Sequence, residues 1–290
     1  MTHMLSALAL AFAHATATPV SSIPLSTTCG DLPGVEAMLD VRSLNYVLVG
    51  EYHGTVEMPR IAADAMCAAA KRGRPVVLGI EFTTANQSSL ETYIRSKGDA
   101  AARTALLAAP AWQGDDARAS QAVFELIEQA RVLVMAGKRV SIVAFDRVPE
   151  PAVSREREAA LAEALVAARA RVSGSLVVAL TGSGHAGKTP WSSQNPPFPS
   201  TGQLITDGET IALAFARPGG QFFGCRAPNG DATAGCTAYD MPAREPVRAR
   251  GIVLDGTLRE GFEGVYSSGA AYTASRPARL AMAAGASVPK

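Results

Sequence analysis

The sequence has no excess of charge of either sign. Its 290 residues include 27 Lys and Arg against 26 Asp and Glu, which gives a net charge of +1. Because there is no basic stripe and no acidic tail, we expect neither nucleic-acid binding nor a disordered acidic segment. Hydrophobic residues make up 48% of the chain and charged residues 18%, so a folded domain with a buried core is expected.

No apolar run is long enough to cross a bilayer, so the mature chain should contain no integral membrane segment. The longest candidate is the short run at residues 4–13, which a small-residue Ala-x-Ala site follows at 15–17. This order is typical of a secretory signal, although the usual positively charged start is missing. We expect residues 1–20 to be a signal peptide and the protein to be periplasmic or secreted. A buried N-terminal helix is the alternative.

The chain has only four cysteines, and none has the spacing of a zinc finger. Cys225 and Cys236 bracket a segment rich in turn residues, which favours a local disulfide. Cys29 and Cys67 would form the second pair, although four cysteines allow three connectivities. In a cytosolic protein, four free buried thiols would be the expected state.

Apolar runs that are near-continuous, rather than alternating, predict strands buried on both faces. These runs lie at 46–50, 76–82, 140–145, 176–181, 210–215 and 251–254, and helical patterns lie between them at 56–72, 115–136 and 154–171. Alternating strands and helices predict an α/β fold with a mainly parallel central sheet and helices on both faces. We expect one α/β domain over 21–256, with a small helical insertion at about 88–112, and a C-terminal tail at 257–290.

Without the predicted signal peptide the chain has two histidines, and each follows a predicted strand. Glu51 and His53 come after the first strand, Glu81 lies near the end of the second, Asp146 follows the third, and His185 follows the fourth. Ligands of open α/β sheets bind beyond the carboxyl ends of strands, so these side chains should converge. In extended backbone, Glu51 and His53 would point the same way. A carboxylate can orient a histidine as a general base, and the same residue types can hold a metal.

Two motifs for other chemistries are absent or incomplete. The chain has no Gly-x-Ser-x-Gly sequence, so a serine hydrolase of that type is not supported. Residues 182–189 match the phosphate-loop pattern G-x-x-x-x-G-K-[ST], but Pro190 and a proline-rich loop follow where that motif needs a helix. We therefore expect an ordered loop in the 190s and no nucleotide hydrolysis.

The strand-exit motifs resemble those of the erythromycin esterase, ChaN and Tiki superfamily. The resemblance lies in Gly50-Glu51-Tyr52-His53-Gly54, Gly79-Ile80-Glu81 and Gly182-Ser183-Gly184-His185, and it covers about residues 46–204. It implies an α/β fold with the four residues Glu51, His53, Glu81 and His185 in one cleft. Members of the superfamily include macrolide-ring esterases, metal-dependent proteases and haem-binding lipoproteins. No lipobox precedes Cys29, so membrane anchoring of the haem-uptake kind is not supported.

Three functions remain open at this point, and the last of them is a degenerate scaffold that only binds a partner. The first is an exported hydrolase of a small-molecule or peptide substrate, in which Glu51, His53, Glu81 and His185 are catalytic or bind a divalent metal for ester or amide hydrolysis. The second is a haem- or iron-binding protein without catalysis, in which His53, His185 and Asp146 contact the cofactor. The sequence alone does not decide between a metal, haem and no cofactor.

Overall fold

The computed structural model describes residues 29–114, 117–147, 153–225 and 235–285, so the predicted signal peptide at 1–20 lies outside the described residues. The described strands are β1 Leu44–Glu51, β2 Val76–Thr83, β3 Val140–Asp146, β4 Leu176–Gly182, β5 Glu209–Phe215, β6 Gly220–Cys225, β7 Cys236–Met241, β8 Gly251–Val253 and β9 Gly264–Ser267. The described α-helices are α1 Val35–Leu39, α2 Glu57–Lys71, α3 Gln87–Ile94, α4 Ala100–Leu107, α5 Gln121–Met135, α6 Arg155–Ala170, α7 Ser183–Ala186, α8 Thr201–Leu204 and α9 Ala278–Gly285.

Seven strands form the central sheet in the order β3-β2-β4-β1-β5-β9-β8. All neighbouring pairs are parallel except β8 with β9, which is antiparallel at the edge. The predicted α/β class and mainly parallel sheet are therefore confirmed. Because β3, β2, β4 and β1 are consecutive neighbours, their carboxyl ends form one continuous edge.

Helices cover both faces of this sheet, as the continuous apolar strands require. On β1, Val47 and Val49 face the core formed with α2 and α5, whereas Tyr46 and Leu48 face the core formed with α6. Both sets are fully buried, so neither face of the central strand contacts water.

The three long predicted helices are present as α2, α5 and α6. Ser154 caps α6, since its side-chain oxygen accepts a hydrogen bond from the Arg157 backbone N–H at 3.1 Å. The predicted insertion is also helical: α3 and α4 are followed by a 3-10 turn at Pro110–Trp112. Its Trp112 packs edge-on against Phe82 of β2, with ring centroids 5.2 Å apart.

The prediction of a C-terminal tail at 257–290 is wrong for the part that contains β9, because this strand lies inside the sheet between β5 and β8. This strand follows a turn-rich segment and contains only two apolar residues, Val265 and Tyr266, so it gives no continuous apolar run. The antiparallel pair β6–β7 was also missed, and it forms a separate two-stranded sheet.

Both preferred cysteine pairs form disulfides, Cys29–Cys67 and Cys225–Cys236. Two disulfides in one chain suggest an oxidising environment. Among the helices in the described ranges, none combines the length and apolarity that a membrane crossing requires.

Candidate active site

The carboxyl ends of four neighbouring strands bring the predicted polar residues together. Glu51 ends β1, Glu81 lies near the end of β2, and Asp146 ends β3. β4 ends at Gly182 and leads into the short helix α7, which contains His185. The register of the parallel strands thus places all of these groups at one edge of the sheet.

Glu81 is the centre of the site and is almost completely buried. Its Oε2 accepts hydrogen bonds from the Thr181 hydroxyl at 2.7 Å and the Gly182 backbone N–H at 2.8 Å. Its Oε1 faces two guanidinium groups, with Arg157 Nη2 at 3.0 Å and Arg118 Nε at 3.3 Å. Both carboxylate oxygens therefore have partners, which is what a buried charge requires.

The surroundings of Glu81 keep it ionised. Burial on its own would raise the pKa of this carboxyl, because it disfavours the charged form. The protonated forms of His53 and His185, the Arg118 guanidinium and the Gly182 N–H outweigh burial, and they hold the pKa of Glu81 well below its usual range. Glu81 is therefore a fixed negative charge among several cationic groups.

His53 is oriented by Glu51, as their spacing predicts. Its Nδ1 lies 2.8 Å from Oε1 of Glu51, and its Nε2 lies 3.9 Å from Oε1 of Glu81. A carboxylate can only accept a hydrogen bond, so the proton of neutral His53 lies on Nδ1 and Nε2 presents a lone pair. The His53 side chain is 24% exposed, so solvent reaches part of the imidazole ring.

The pKa of the His53 imidazole is raised. Burial acts to lower it, but the charge and hydrogen bond of Glu51 and the charge of Glu81 act in the opposite direction and prevail. His53 is therefore a stronger base than an ordinary histidine.

His185 has a different environment, because both of its ring nitrogens are engaged. Nδ1 lies 2.6 Å from Oε1 of Glu158, and Nε2 lies 3.2 Å from Nη1 of Arg157. Since a guanidinium only donates, Nε2 accepts and Nδ1 carries the proton. Glu158 is itself held by the backbone N–H and the hydroxyl of Thr201, each at 2.7 Å. His185 also lies 3.9 Å from Glu81, so the same carboxylate contacts both histidines.

Asp146 holds Arg157 in place. The Nε and Nη2 of Arg157 donate to the two oxygens of Asp146 at 3.1 and 2.7 Å, which is a bidentate pair. Asp146 and Arg157 are both 5% exposed. Asp146 was predicted to contact a cofactor, whereas the structure engages both of its oxygens with the arginine beneath the site.

Three site residues were missed: Arg157, Glu158 and Arg118. Arg157 and Glu158 share a face of α6 with buried Leu161 and Leu165. Two charges on the apolar face of an amphipathic helix were a usable signal, since such charges must find partners in the interior. Arg118 lies in a 3-10 turn at Ala117–Ala119, where no periodic pattern singles it out.

The donor set does not fit a metal ion. In the described part of the chain, no three or more His, Cys, Asp or Glu side chains are grouped as ligands. Arg157 and Arg118 face the oxygen of Glu81 where a cation would bind, and Arg157 faces Nε2 of His185. Two guanidinium groups therefore take the electrostatic place of a metal. Metal binding by Glu51, His53, Glu81 and His185 stays a prediction that this geometry does not favour.

Lys188 has a structural position rather than a phosphate-binding one. Its Nζ donates to the Thr210 carbonyl at 2.7 Å and pairs with Glu263 at 2.8 Å. The helix after β4 ends at Ala186, and Trp191 pairs with Phe198 in an ordered loop. The loop places the Trp191 ring 5.6 Å from that of His185.

Comparison with solved structures identifies the fold. A mutant of the erythromycin esterase EreC in its open conformation is 12% identical; the match covers 87% of this chain and 96% of that one, with a TM-score of 0.58. The chain has an erythromycin-esterase-like fold. At this identity the likeness shows the fold alone.

Other matches to the erythromycin-esterase-like fold are weaker. ChaN of Campylobacter jejuni with cofacially bound haem is 13% identical, covers 62% of this chain and 85% of its own, and has a TM-score of 0.41. The type III effector HopBA1 is 15% identical, covers 72% and 96%, and has a TM-score of 0.43. These scores are too low to support an argument. No family model and no curated protein matches the sequence.

Proposed function

We propose that the protein is an exported hydrolase of ester or amide bonds in a small-molecule or peptide substrate. His53 is its general base, and the reaction needs no metal. The observation that supports this most directly is the difference between the two histidines. In the described part of the chain, His53 has only Nδ1 held by a hydrogen bond, to Glu51, and its side chain is 24% exposed, whereas His185 has both nitrogens engaged.

The proton path follows from this arrangement. Nε2 of His53 takes a proton from a water molecule, and the electron pair of that O–H bond forms the new bond to the substrate carbonyl carbon. The imidazolium is stabilised by Glu51 and Glu81. When the tetrahedral intermediate collapses, the same proton passes to the leaving alcohol or amine, so the histidine returns to its neutral form.

Arg118 is the group best placed to stabilise the negative oxygen of that intermediate. Its side chain is 37% exposed and its Nε lies 3.3 Å from Glu81, so the cation borders both the buried carboxylate and the open part of the site. His185 is predicted to be catalytic or to bind a metal. We assign it a positioning role instead, because its Nε2 already accepts a hydrogen bond from Arg157. His185, Glu158 and Asp146 together fix the Arg157 guanidinium against Glu81.

The proposal includes export of the protein and a substrate with an ester or amide bond. Two disulfides agree with export to the periplasm or the cell exterior. An esterase shares the fold, which is consistent with acyl chemistry, but the substrate of that esterase is not carried over to this chain.

The test is a panel of ester and amide substrates assayed with and without a chelator. We expect turnover of at least one substrate, no loss with chelator, and a fall of about 10²- to 10⁴-fold in His53→Ala. Arg147→Gln, an exposed arginine that contacts Glu163, is the matched surface control and should keep full activity. A silent panel, or equal rates in wild type and His53→Ala, contradicts the proposal.

A further inference from the structure

A pocket next to the chain segment that carries Glu51 and His53 has the properties of an anion-binding subsite. Tyr52, the residue between Glu51 and His53, forms part of its wall. The cavity measures about 370 Å³ and is lined by the side chains Tyr52, Phe215, Arg217, Phe222, Asp240, Met241, Pro242 and Arg244. It lies at the carboxyl ends of β1 and β5, which are neighbours in the sheet.

The wall of this pocket is aromatic, and part of it faces solvent. Tyr52 is 44% exposed, and its ring meets that of Phe222 edge-on at 4.5 Å between centroids. Phe222 belongs to β6, and the next residue, Phe223, donates its backbone N–H to the Gly54 carbonyl at 2.8 Å. The pocket is thus fixed directly to the turn that follows His53.

The charges around the pocket are not balanced. Glu245 is shared by Arg248 at 2.9 Å and Arg259 at 3.4 Å, and the Arg217 backbone N–H also donates to it. Asp240 accepts from the side-chain amide of Gln221. Among the described residues, no ion pair joins a carboxylate to the guanidinium of Arg217 or of Arg244.

The arginines also repel one another. The pKa of Arg217 is lowered by partial burial and by the charges of Arg259 and Arg244, and Glu245 offsets this only in part. An added anion would relieve that repulsion and would bond to two planar donors that suit carboxylates.

We propose that this pocket binds the anionic, apolar portion of the substrate: a carboxylate at the end of an aromatic or acyl body. Arg217 and Arg244 pair with the carboxylate, and Tyr52 and Phe222 pack against the apolar body. The assignment rests on the proposed hydrolase function, because it makes the pocket a specificity site for that reaction.

The test measures binding without turnover, so it is independent of hydrolysis. The probes are 4-phenylbutyrate and its neutral amide, titrated by calorimetry into the wild-type protein and its variants. We expect the acid to bind at least about tenfold more tightly than the amide. Arg217→Gln/Arg244→Gln should abolish that preference, and Tyr52→Ala should weaken both probes.

Arg118→Gln is the matched control, because Arg118 is an arginine of the catalytic site and not of the pocket. The affinity of the Arg118→Gln variant for 4-phenylbutyrate should equal that of wild type.

Two results would overturn the proposal. One is equal affinity of the wild-type protein for the acid and the amide. The other is that Arg118→Gln loses binding of the acid while the double variant keeps it. If the double variant does not fold, the single variant Arg244→Gln, at an exposed residue, allows the same comparison of affinities for the acid and the amide. Hydrolysis of neutral esters without acid binding would overturn the pocket alone, whereas acid binding without hydrolysis would overturn only the catalytic proposal.

Discussion

Nη1 of Arg157 lies 3.2 Å from Nε2 of His185, so a guanidinium donor occupies the nitrogen that would otherwise act on a substrate. Within the described residues, no guanidinium donates to Nε2 of His53, which faces Glu81 at 3.9 Å. The two histidines of the site are therefore unequal in chemistry although both follow strands of the same sheet.

The first prediction concerns the pH dependence of hydrolysis. The base form of His53 is neutral, and its pKa is raised above the ordinary 6.5, so kcat/KM should rise with pH through that raised value. Glu51→Gln removes the charge that raises the pKa, so the acid limb should move to lower pH and the plateau rate should fall about tenfold or more. A limb that stays in place in Glu51→Gln contradicts His53 as the titrating base.

His185→Ala should behave differently in the same experiment. His185 is a positioning residue, so its loss should lower kcat through Arg157 without moving the acid limb of the pH profile. A shift of that limb comparable with the shift in Glu51→Gln would show that His185 takes part in proton transfer.

The ion pair beneath the site should matter for stability. Asp146→Ala leaves the buried Arg157 without its bidentate partner, and breaking a buried pair in this way costs about 3–5 kcal/mol. The free energy of unfolding in urea measures this cost. The control is Glu163→Ala, which removes an exposed carboxylate that contacts Arg147, and it should change stability by less than about 1 kcal/mol.

Stability should also depend on pH in a direction set by Glu81. Its pKa is lowered on folding from an ordinary 4.5, so the unfolded chain binds a proton first as the pH falls. The stabilisation by Glu81 is present above about pH 4.5 and is lost as the pH falls towards the pKa of Glu81 in the folded protein. Glu81→Gln should flatten the acid side of the profile, and an unchanged acid slope contradicts this account.

The contribution of His53 to stability has the opposite pH dependence. It is present below about pH 6.5 and is lost as the pH rises through the raised pKa of His53.

The two disulfides should contribute unequally. Cys29–Cys67 closes a loop with a sequence separation of 38, and Cys225–Cys236 closes one of 11. Chain entropy then gives about 4 kcal/mol for the first and about 3 kcal/mol for the second. Double Cys→Ala variants of each pair, compared by urea unfolding, measure the difference, and a larger loss for the shorter loop would contradict the entropic account.

Haem titration separates the proposed hydrolase from the haem-binding alternative. Because Glu158 and Arg157 engage both nitrogens of His185, we expect no shift of the Soret band that depends on His185. A shift that is lost in both His53→Ala and His185→Ala would favour the haem-binding function over catalysis.

Long apolar patterns in the sequence predict much of the fold. The polar residues at the carboxyl ends of the predicted strands predict much of the site. The six predicted strands and the three long helices are present because each carries a continuous apolar run or a helical period. Glu51, His53, Glu81 and His185 converge because parallel strands end at one edge. β9 was missed because only two apolar residues, Val265 and Tyr266, stand between its Gly264 and Ser267.

The site residues that the sequence does not predict share a physical cause. Arg157 and Glu158 are charges on a buried helix face, and only the three-dimensional partners Asp146, Glu81 and His185 explain why they are there. Arg118 reaches Glu81 from a short turn, and no local pattern predicts that approach.

The hydrogen bonds of Glu81 with Thr181 and Gly182 join residues 100 and 101 positions apart. Loop-closure entropy opposes such distant contacts until most of the sheet has assembled. A fragment that ends before residue 181 therefore lacks these two partners of Glu81. If the proposed hydrolysis is correct, we expect none from a partly synthesised chain, and its onset should report the addition of β4 to the sheet.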